Sequence, residues 1–213
     1  MSSAGILALW KDCVPGREAD LERWFQGEHL KERMAVPGFR YGRRFEAEEA
    51  SRADFNYYET DAPEVLTSPA YLERLDNPTP LTREIMTSVM INVSRTICRV
   101  QRRQGAMRGA WAVTMTLSGE TPAAVDAVFD ALAGDPSVAR VDYWVSAEDP
   151  ALDMKDEEKL RGRDEKIAAC LLIETLREAS ARDAARRAAE AMGDAVEETG
   201  IFRFLCHLGA GDH

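Results

Sequence analysis

The chain has 213 residues, of which 45% are hydrophobic and 30% are charged. This composition is ordinary for a globular protein with a sizeable core, and it excludes wholesale disorder. The formal net charge of -10 repels phosphate groups at long range, so we expect neither nucleic acid nor an anionic membrane surface to be the main partner.

No segment approaches the length of a membrane span, and the first apolar run, 6–10, is too short for the core of a secretory signal. We therefore expect a cytoplasmic protein. The four cysteines lie far apart and form no CxxC pair, a pattern that favours buried, reduced thiols over a disulfide framework.

The first half of the chain has the predicted order βαββαβ. Apolar periodicity and Pro-Gly turns divide it into its elements. They are a strand at 6–14, a helix at 18–36, strands at 39–47 and 55–60, two short helical pieces within 62–89, and a strand at 91–100.

The second half repeats this order after a polar linker at 101–108. Its predicted elements are a strand at 110–117, a helix at 122–133, strands at 138–147 and 167–176, a helix at 179–198 that Gly200 ends, and a strand at 201–208. Residues 1–104 and 105–213 are thus predicted to be two repeats. Short matches between the halves place Arg40 opposite Arg140, Glu59 opposite Glu174 and Cys98 opposite Cys206.

Two βαββαβ units predict an α+β fold of two ferredoxin-like repeats. Each sheet would carry its helices on one face, so packing the two open faces together would bury both and give a compact α+β barrel. Glu59 and Glu174 are interpreted as structural residues that support this fold.

His29 is the leading catalytic candidate, because an imidazole titrates near neutral pH and can act as a general acid or base. The alternative is a helical histidine with a satisfied hydrogen bond. The predicted helix 18–36 places Trp24 and Phe25 on the same side as His29. Trp24 could form an aromatic wall for a ligand, whereas Phe25 is expected to belong to the core.

Arginines and tyrosines on the next strands are the predicted substrate-binding residues. Strand alternation places Arg40 and Arg44 on one face and Arg43 on the other, and an arginine can hold a carboxylate or an enolate. A salt-bridged surface cluster is the alternative for each arginine. Tyr57 and Tyr58 point to opposite faces, so only one could donate a hydrogen bond to the ligand.

The spacing of Trp24, His29, Arg33 and the Pro-Gly-Phe of 37–39 resembles that of EthD-like proteins, which belong to the dimeric α+β-barrel group. The group includes cofactor-independent monooxygenases, lactone isomerases, polyketide cyclases and haem proteins, so the resemblance implies a small-molecule site. The second half has no Trp or His in the place of the first helix. One site per chain is therefore implied.

We expect a cofactor-independent enzyme of small-molecule catabolism, in which His29 acts on a carbonyl-bearing or phenolic organic acid in isomerase, lyase or monooxygenase chemistry. The substrate is expected to be aromatic or carboxylated, and a homodimer is possible. No metal site is expected, because the chain has no HExxH motif and no Cys–His cluster; for haem, only His29 suggests an axial ligand. The alternative is a non-catalytic binding or accessory protein of a catabolic pathway.

Overall fold

The computed structural model describes residues 3–147, 160, 162 and 164–212. The strands in this part of the chain are β1 Gly5–Cys13, β2 Phe39–Glu49, β3 Asp54–Thr60, β4 Met90–Gln104, β5 Trp111–Leu117, β6 Val138–Ser146, β7 Ala169–Thr175 and β8 Val196–Gly209.

The first helix consists of α1 Glu18–Trp24, a π-helical turn Phe25–His29, and α2 Leu30–Met34. The other α-helices of the described residues are α3 Pro69–Asp76, α4 Pro80–Ser88, α5 Pro122–Leu132 and α6 Glu178–Met192. Short 3-10 turns occupy Pro63–Thr67 and Gly193–Ala195. None of these helices is long and apolar enough to cross a bilayer.

The strands form a closed antiparallel barrel in the order β1-β3-β2-β8-β5-β7-β6-β4. Within each half the order is that of a ferredoxin-like sheet, β4-β1-β3-β2 in the first and β8-β5-β7-β6 in the second. Pairing of β2 with β8 and of β4 with β6 joins the two sheets. The predicted α+β barrel of two ferredoxin-like units is confirmed.

Three apolar clusters fill the molecule. One lies inside the barrel, where residues of both sheets such as Ile6, Phe55, Trp144 and Leu172 pack together. The other two lie outside the barrel, between each sheet and its own helices. Each helix layer therefore has its own interface, and a site can form there without opening the barrel.

Two predicted boundaries are wrong. Residues 101–104 are not a linker, because β4 continues to Gln104 and pairs with Val141 of β6. Helix α6 ends at Met192 rather than at 198, because Gly193 adopts a positive φ of 56°. This backbone conformation ends the helix, and residues other than glycine rarely adopt it.

Glu59 and Glu174 occupy equivalent positions in the two sheets, because Glu59 pairs with Ile6 and Glu174 with Ala112, both in the barrel core. The matched cysteines do not: Cys98 pairs with Ile6, whereas Cys206 pairs with Arg44. The strand register thus supports the match of Glu59 with Glu174 and not the match of Cys98 with Cys206. The duplication itself stays a prediction.

Each of these glutamates forms an ion pair with the opposite half. Glu174 lies 2.7 Å from Nη1 of Arg43, and Glu59 accepts a hydrogen bond from Arg140 at 2.9 Å. All four side chains are at most 4% exposed. Two buried ion pairs therefore link the halves inside the barrel, as the structural interpretation of the glutamates implies.

A fragment of residues 1–104 is expected to aggregate or dimerise when expressed alone. Without the second half, β2 loses its pairing with β8 and β4 loses its pairing with β6. The barrel face of the sheet then meets water, and exposed strand edges promote association. Light scattering after size-exclusion chromatography, with the full chain as control, measures this. A monomeric fragment with a cooperative unfolding transition would contradict the need for the second half.

Candidate functional site

A small cavity lies between the helices of the first half and the outer face of its sheet. Its volume is about 20 Å³, counted as space for the centre of a water molecule, which suffices for about one water. The lining residues come from several elements; they are Leu7, Leu9, Lys11, Trp24, Phe25, His29, Arg33, Asn56, Tyr58, Tyr71, Met86, Met90 and Arg95.

The π-helical turn brings Trp24 and His29 together. In a regular α-helix, residues five apart point about 140° away from each other. Here the N–H of Leu30 donates to the carbonyl of Phe25, five residues earlier, so the turn holds an additional residue and turns His29 towards Trp24. Such turns occur frequently at functional sites. The sequence predicted a regular helix with Trp24 and His29 on one side, but a regular helix would have separated them, and the sequence gave no sign of the turn that brings them together.

His29 is packed among aromatic rings and is 6% exposed. Its ring centroid lies 4.2 Å from that of Trp24, with the planes tilted by 31°. Tyr58 presents its edge to the imidazole at 6.1 Å, and Phe25 lies at 5.8 Å. The imidazole is therefore fixed in a largely apolar environment at the cavity wall.

The π-helical turn is tied to α4 by a chain of hydrogen bonds. Trp24 donates through Nε1 to the hydroxyl of Thr82 at 2.9 Å, and that hydroxyl donates to Glu28 at 3.1 Å. Glu28 also accepts from Thr79, which caps α4 by accepting from the N–H of Thr82. These bonds hold the Trp24 side chain in place, and they satisfy its buried N–H.

A buried polar cluster forms the end of the cavity under Phe25. Lys11 is 1% exposed and donates to Asn56 at 2.6 Å and to Asp54. Arg44 donates to the second oxygen of Asp54 at 2.7 Å. Burial lowers the pKa of Lys11, while Asp54 opposes this effect by favouring the ammonium.

Two further cationic side chains, Arg33 and Arg95, line the cavity. The guanidinium of Arg33 lies 5.4 Å from the ring centroid of Tyr71, and Arg95 donates to the Tyr71 hydroxyl at 3.1 Å. No carboxylate is among the described lining residues. The cavity thus combines aromatic walls with positive charge, an arrangement that suits an anionic aromatic ligand.

Of the predicted site residues, Trp24, His29 and Tyr58 line the cavity. Arg44 lies just behind its wall, with its guanidinium 5.1 Å from the Phe25 ring centroid. Tyr57 is on the opposite face, as the alternation predicted: it lies inside the barrel and donates to Glu174 at 2.6 Å. Burial raises the pKa of Tyr57 well above its usual value, which keeps the phenol protonated as a donor.

Arg40 does not share a face with Arg44, and that prediction is wrong. The pairing of β2 with β3 shifts register between Phe39 and Tyr41, so strict alternation fails at Arg40. Its half-exposed side chain binds Asp61 at 2.8 Å and Glu59 at 3.3 Å, away from the cavity.

Lys11, Asn56, Tyr71 and Arg95 are cavity residues that the sequence analysis did not select. For Lys11 a signal existed, because alternation along β1 places it on the same face as Leu7 and Leu9. A lysine on an apolar strand face is unusual, since lysine is almost never fully buried without a partner.

The corresponding layer of the second half is packed core. Val128 and Phe129 of α5 and Ala184 and Ala188 of α6 are all at most 1% exposed and belong to one cluster with the sheet. Small alanines let α6 lie close to the strands. The described residues of this layer include no histidine, and the described part of the chain shows no group of ligands that could hold a metal.

Gly42 lets α2 and Tyr58 approach the sheet beside the cavity. A Cβ at this position would lie 2.6 Å from Leu30 Cδ1 and 2.8 Å from Tyr58 Cδ1. Gly42→Ala is therefore expected to lower the free energy of unfolding by about 1–3 kcal/mol through overpacking, measured by urea denaturation.

The matched control is Gly27→Ala in the first helix, where an added Cβ meets nothing within 4 Å. That change is expected to stabilise by about 0.5–1 kcal/mol, because alanine loses less backbone entropy than glycine in a helix. Equal stability of the two variants would mean that Gly42 is not closely packed.

No protein-family model matches the chain, and no curated protein matches it. Solved structures do. An anthrone oxidase-like protein is similar with a TM-score of 0.65 at 13% identity, covering 99% of this chain and 94% of that one. A monooxygenase candidate from Fusobacterium nucleatum is similar with a TM-score of 0.63 at 8% identity, over 99% and 96% of the two chains.

A haem-binding protein from Thermus thermophilus is also similar, with a TM-score of 0.53 at 7% identity, covering 97% of this chain and 92% of that one. At such low identities the likeness concerns the fold alone. The chain therefore has, along nearly its whole length, the α+β barrel fold found in these proteins.

Proposed function

We propose that the protein is a cofactor-independent enzyme of the monooxygenase type, in which His29 acts as a general base on a small phenolic or carbonyl-bearing organic acid. The observation that carries the proposal is the position of His29: a buried imidazole that a π-helical turn directs into an aromatic cavity, whose described lining includes cations and no carboxylate. The fold shared with the anthrone oxidase-like protein and the monooxygenase candidate supports this reaction class.

In the proposed reaction the imidazole removes a proton from an acidic C–H or O–H group of the substrate. The enolate or phenolate that forms carries negative charge, and the positive charges of Lys11, Arg33 and Arg95 at the cavity stabilise it. Tyr58, which also lines the cavity, would donate a hydrogen bond to the developing oxyanion. The rings of Trp24 and Phe25 exclude water, so these electrostatic effects act at low dielectric.

The proposed second step is reaction of this electron-rich anion with molecular oxygen as cosubstrate. For an anthrone, one oxygen atom becomes the new carbonyl of the anthraquinone and the other leaves as water, with both methylene hydrogens lost. The protein has to bind and deprotonate the substrate; the carbanion itself supplies the electrons to oxygen.

Substrate entry requires the cavity to widen, because about 20 Å³ holds no more than about one water. Met86 of α4 and Tyr71 of α3 form the wall opposite the sheet. Methionine adapts to ligands by changing rotamers. We propose that displacement of these two side chains admits an aromatic ring beside Trp24.

Haem does not fit the described residues. The imidazole of His29 is 6% exposed and stacked 4.2 Å from Trp24, and His207 is an exposed residue of β8. The helix layer of the second half is filled by apolar side chains. Because the donor residues are not placed to hold haem, the proposed chemistry relies on amino-acid side chains.

The test is oxygen uptake and quinone formation with the purified protein on a panel of anthrones, hydroxylated anthrones and aromatic keto acids. We expect the protein to convert at least one compound and to consume one molecule of O₂ for each molecule of product. Binding of panel members without conversion would support the alternative, a non-catalytic binding or accessory protein of a catabolic pathway. If the protein neither binds nor converts any compound of the panel, both the enzyme proposal and the binding-protein alternative are overturned.

We also propose a cytoplasmic location and a homodimer. In the described barrel every strand has a partner on each side, so two chains would associate through helices or barrel ends rather than through strand edges. Light scattering on the full chain tests the dimer: a mass of twice the monomer is expected, and the monomer mass at all concentrations would contradict it.

A further inference from the structure

The cluster beneath Phe25 contains two cations and one anion. Asp54 binds Lys11 through one carboxylate oxygen and Arg44 through the other. Lys11, Arg44 and Asp54 are all at most 5% exposed. The cluster therefore has an excess of one buried positive charge.

Among the described residues, Asp54 is the acid that forms an ion pair with either cation. The ionisable groups that act on Lys11 are Asp54, Arg44 and the thiol of Cys13, and partial burial raises the pKa of Cys13, which keeps the thiol neutral. Glu18 of the covering helix acts on Cys13 rather than on Lys11. A buried charge without a counterion is costly, and an anion that reaches it gains correspondingly.

Of the two cations in this cluster, Lys11 is the one that lines the cavity. Its hydrogen-bond partner Asn56 lines the cavity as well. Its Nζ lies 5.6 Å from the ring centroid of Phe25, and the imidazole of His29 lies 5.8 Å from the same ring. Lys11 and His29 thus both lie within 6 Å of the Phe25 ring centroid and line the same cavity. A ligand with an anionic group at Lys11 would place its ring beside Phe25 and extend towards His29.

We propose that Lys11 is a substrate-anchoring residue that binds the carboxylate of an aromatic acid, and that Arg44 makes this possible by sharing Asp54. Arg44 takes up half of the hydrogen-bonding capacity of that carboxylate, which leaves Lys11 with charge to offer to the ligand. The inference rests on the proposed function in using the same cavity. It names the substrate class as carboxylated aromatic compounds.

The test compares the binding of 2-naphthoate and its uncharged analogue 2-naphthamide by titration calorimetry. The wild type is expected to bind the carboxylate about tenfold to hundredfold more tightly, as for a charge-assisted hydrogen bond. Lys11→Met is expected to reduce this preference to less than about twofold. This variant should fold, because it leaves Arg44 and Asp54 as a neutral pair. No preference in the wild type, or an unchanged preference in Lys11→Met, would overturn the proposal.

Two variants outside the cavity wall test the charge balance with opposite signs. Arg44→Met is expected to weaken naphthoate binding about threefold to tenfold, because Asp54 then neutralises Lys11 alone. Asp54→Asn is expected to strengthen it, because both cations lose their counterion. If the cluster had a purely structural role, the two variants would not change the affinity for naphthoate in opposite directions. Weaker binding in both variants would therefore overturn the role of charge.

Lys31→Met, which removes the same charge from an exposed position on α2, is the matched control and is expected to leave the preference unchanged. Failure of this inference is distinguishable from failure of the proposed function. A carboxylate preference that depends on Lys11, without turnover of any panel compound, would preserve the anchor and overturn the enzyme. Turnover of a panel compound, with the carboxylate preference unchanged in Lys11→Met, would preserve the enzyme and overturn the anchor.

Discussion

His29→Gln is expected to lower kcat by about 10²- to 10⁴-fold, the usual contribution of a general acid or base. Glutamine is similar in size to histidine and can fill the space beside Trp24, but it cannot accept the substrate proton. Ligand binding is therefore expected to stay within about threefold of the wild type. Steady-state oxygen uptake and titration calorimetry measure the two quantities separately.

The matched control is His207→Gln, since His207 lies on β8 outside the cavity with its ring 5.6 Å from Tyr41. We expect no change in kcat. If both histidine variants kept full activity, the proton would be removed by another group and His29 would be a packing residue. If His29→Gln lost binding and activity together with its fold, circular dichroism would show it, and His29→Asn would serve as the second variant.

Glu174→Gln is expected to lower the free energy of unfolding by about 3–5 kcal/mol, the usual effect of breaking a buried ion pair by removing one partner. Glu174 is fully buried, accepts hydrogen bonds from Tyr57 at 2.6 Å and from the N–H of Gly109 at 2.9 Å, and forms an ion pair with Arg43. The amide keeps the shape but loses the charge, so Arg43 stays buried without its counterion. Urea denaturation measures the change.

Glu190→Gln is the matched surface control. Its ion pair with Arg186 spans 2.8 Å, but both side chains are more than half exposed, and such pairs contribute only about 0.3–0.5 kcal/mol. A double-mutant cycle of Glu174→Gln with Arg43→Met isolates the pair, because removing both charges avoids the isolated cation. A loss below 1 kcal/mol for Glu174→Gln alone would show that the pair does not hold the two halves together.

The sequence predicted the fold because its signals are local. The apolar content of 6–14 and 110–117 and the Pro-Gly turn after the first strand fix the element types, and the repeated order βαββαβ fixes the topology of each half. Closure into a barrel followed from the need to bury the open face of each sheet. Errors occurred where backbone geometry overrode composition, as at Gly193, which ends α6 before the Ala-rich pattern ends.

The candidate site was predicted in part. Trp24, His29 and Tyr58 could be selected because their chemistry is distinctive, but the π-helical turn that brings His29 to Trp24 has no sign in the sequence. Arg40 was misplaced because a β-bulge is invisible to strict alternation. Lys11 was missed because a buried lysine depends on partners, Asp54 and Asn56, that lie on another strand.

By itself the sequence determined the order of the elements, the α+β class and the presence of a tryptophan and a histidine in the first helix of only one half, because these follow from residue type and short-range periodicity. Only the tertiary structure decided which cations face the ligand cavity. The pairing of β1 with β3 places Lys11 opposite Asp54, and the pairing of β2 with β3 places Arg44 beside them. Charge balance in a buried site is a property of contacts between distant segments, which no local pattern encodes.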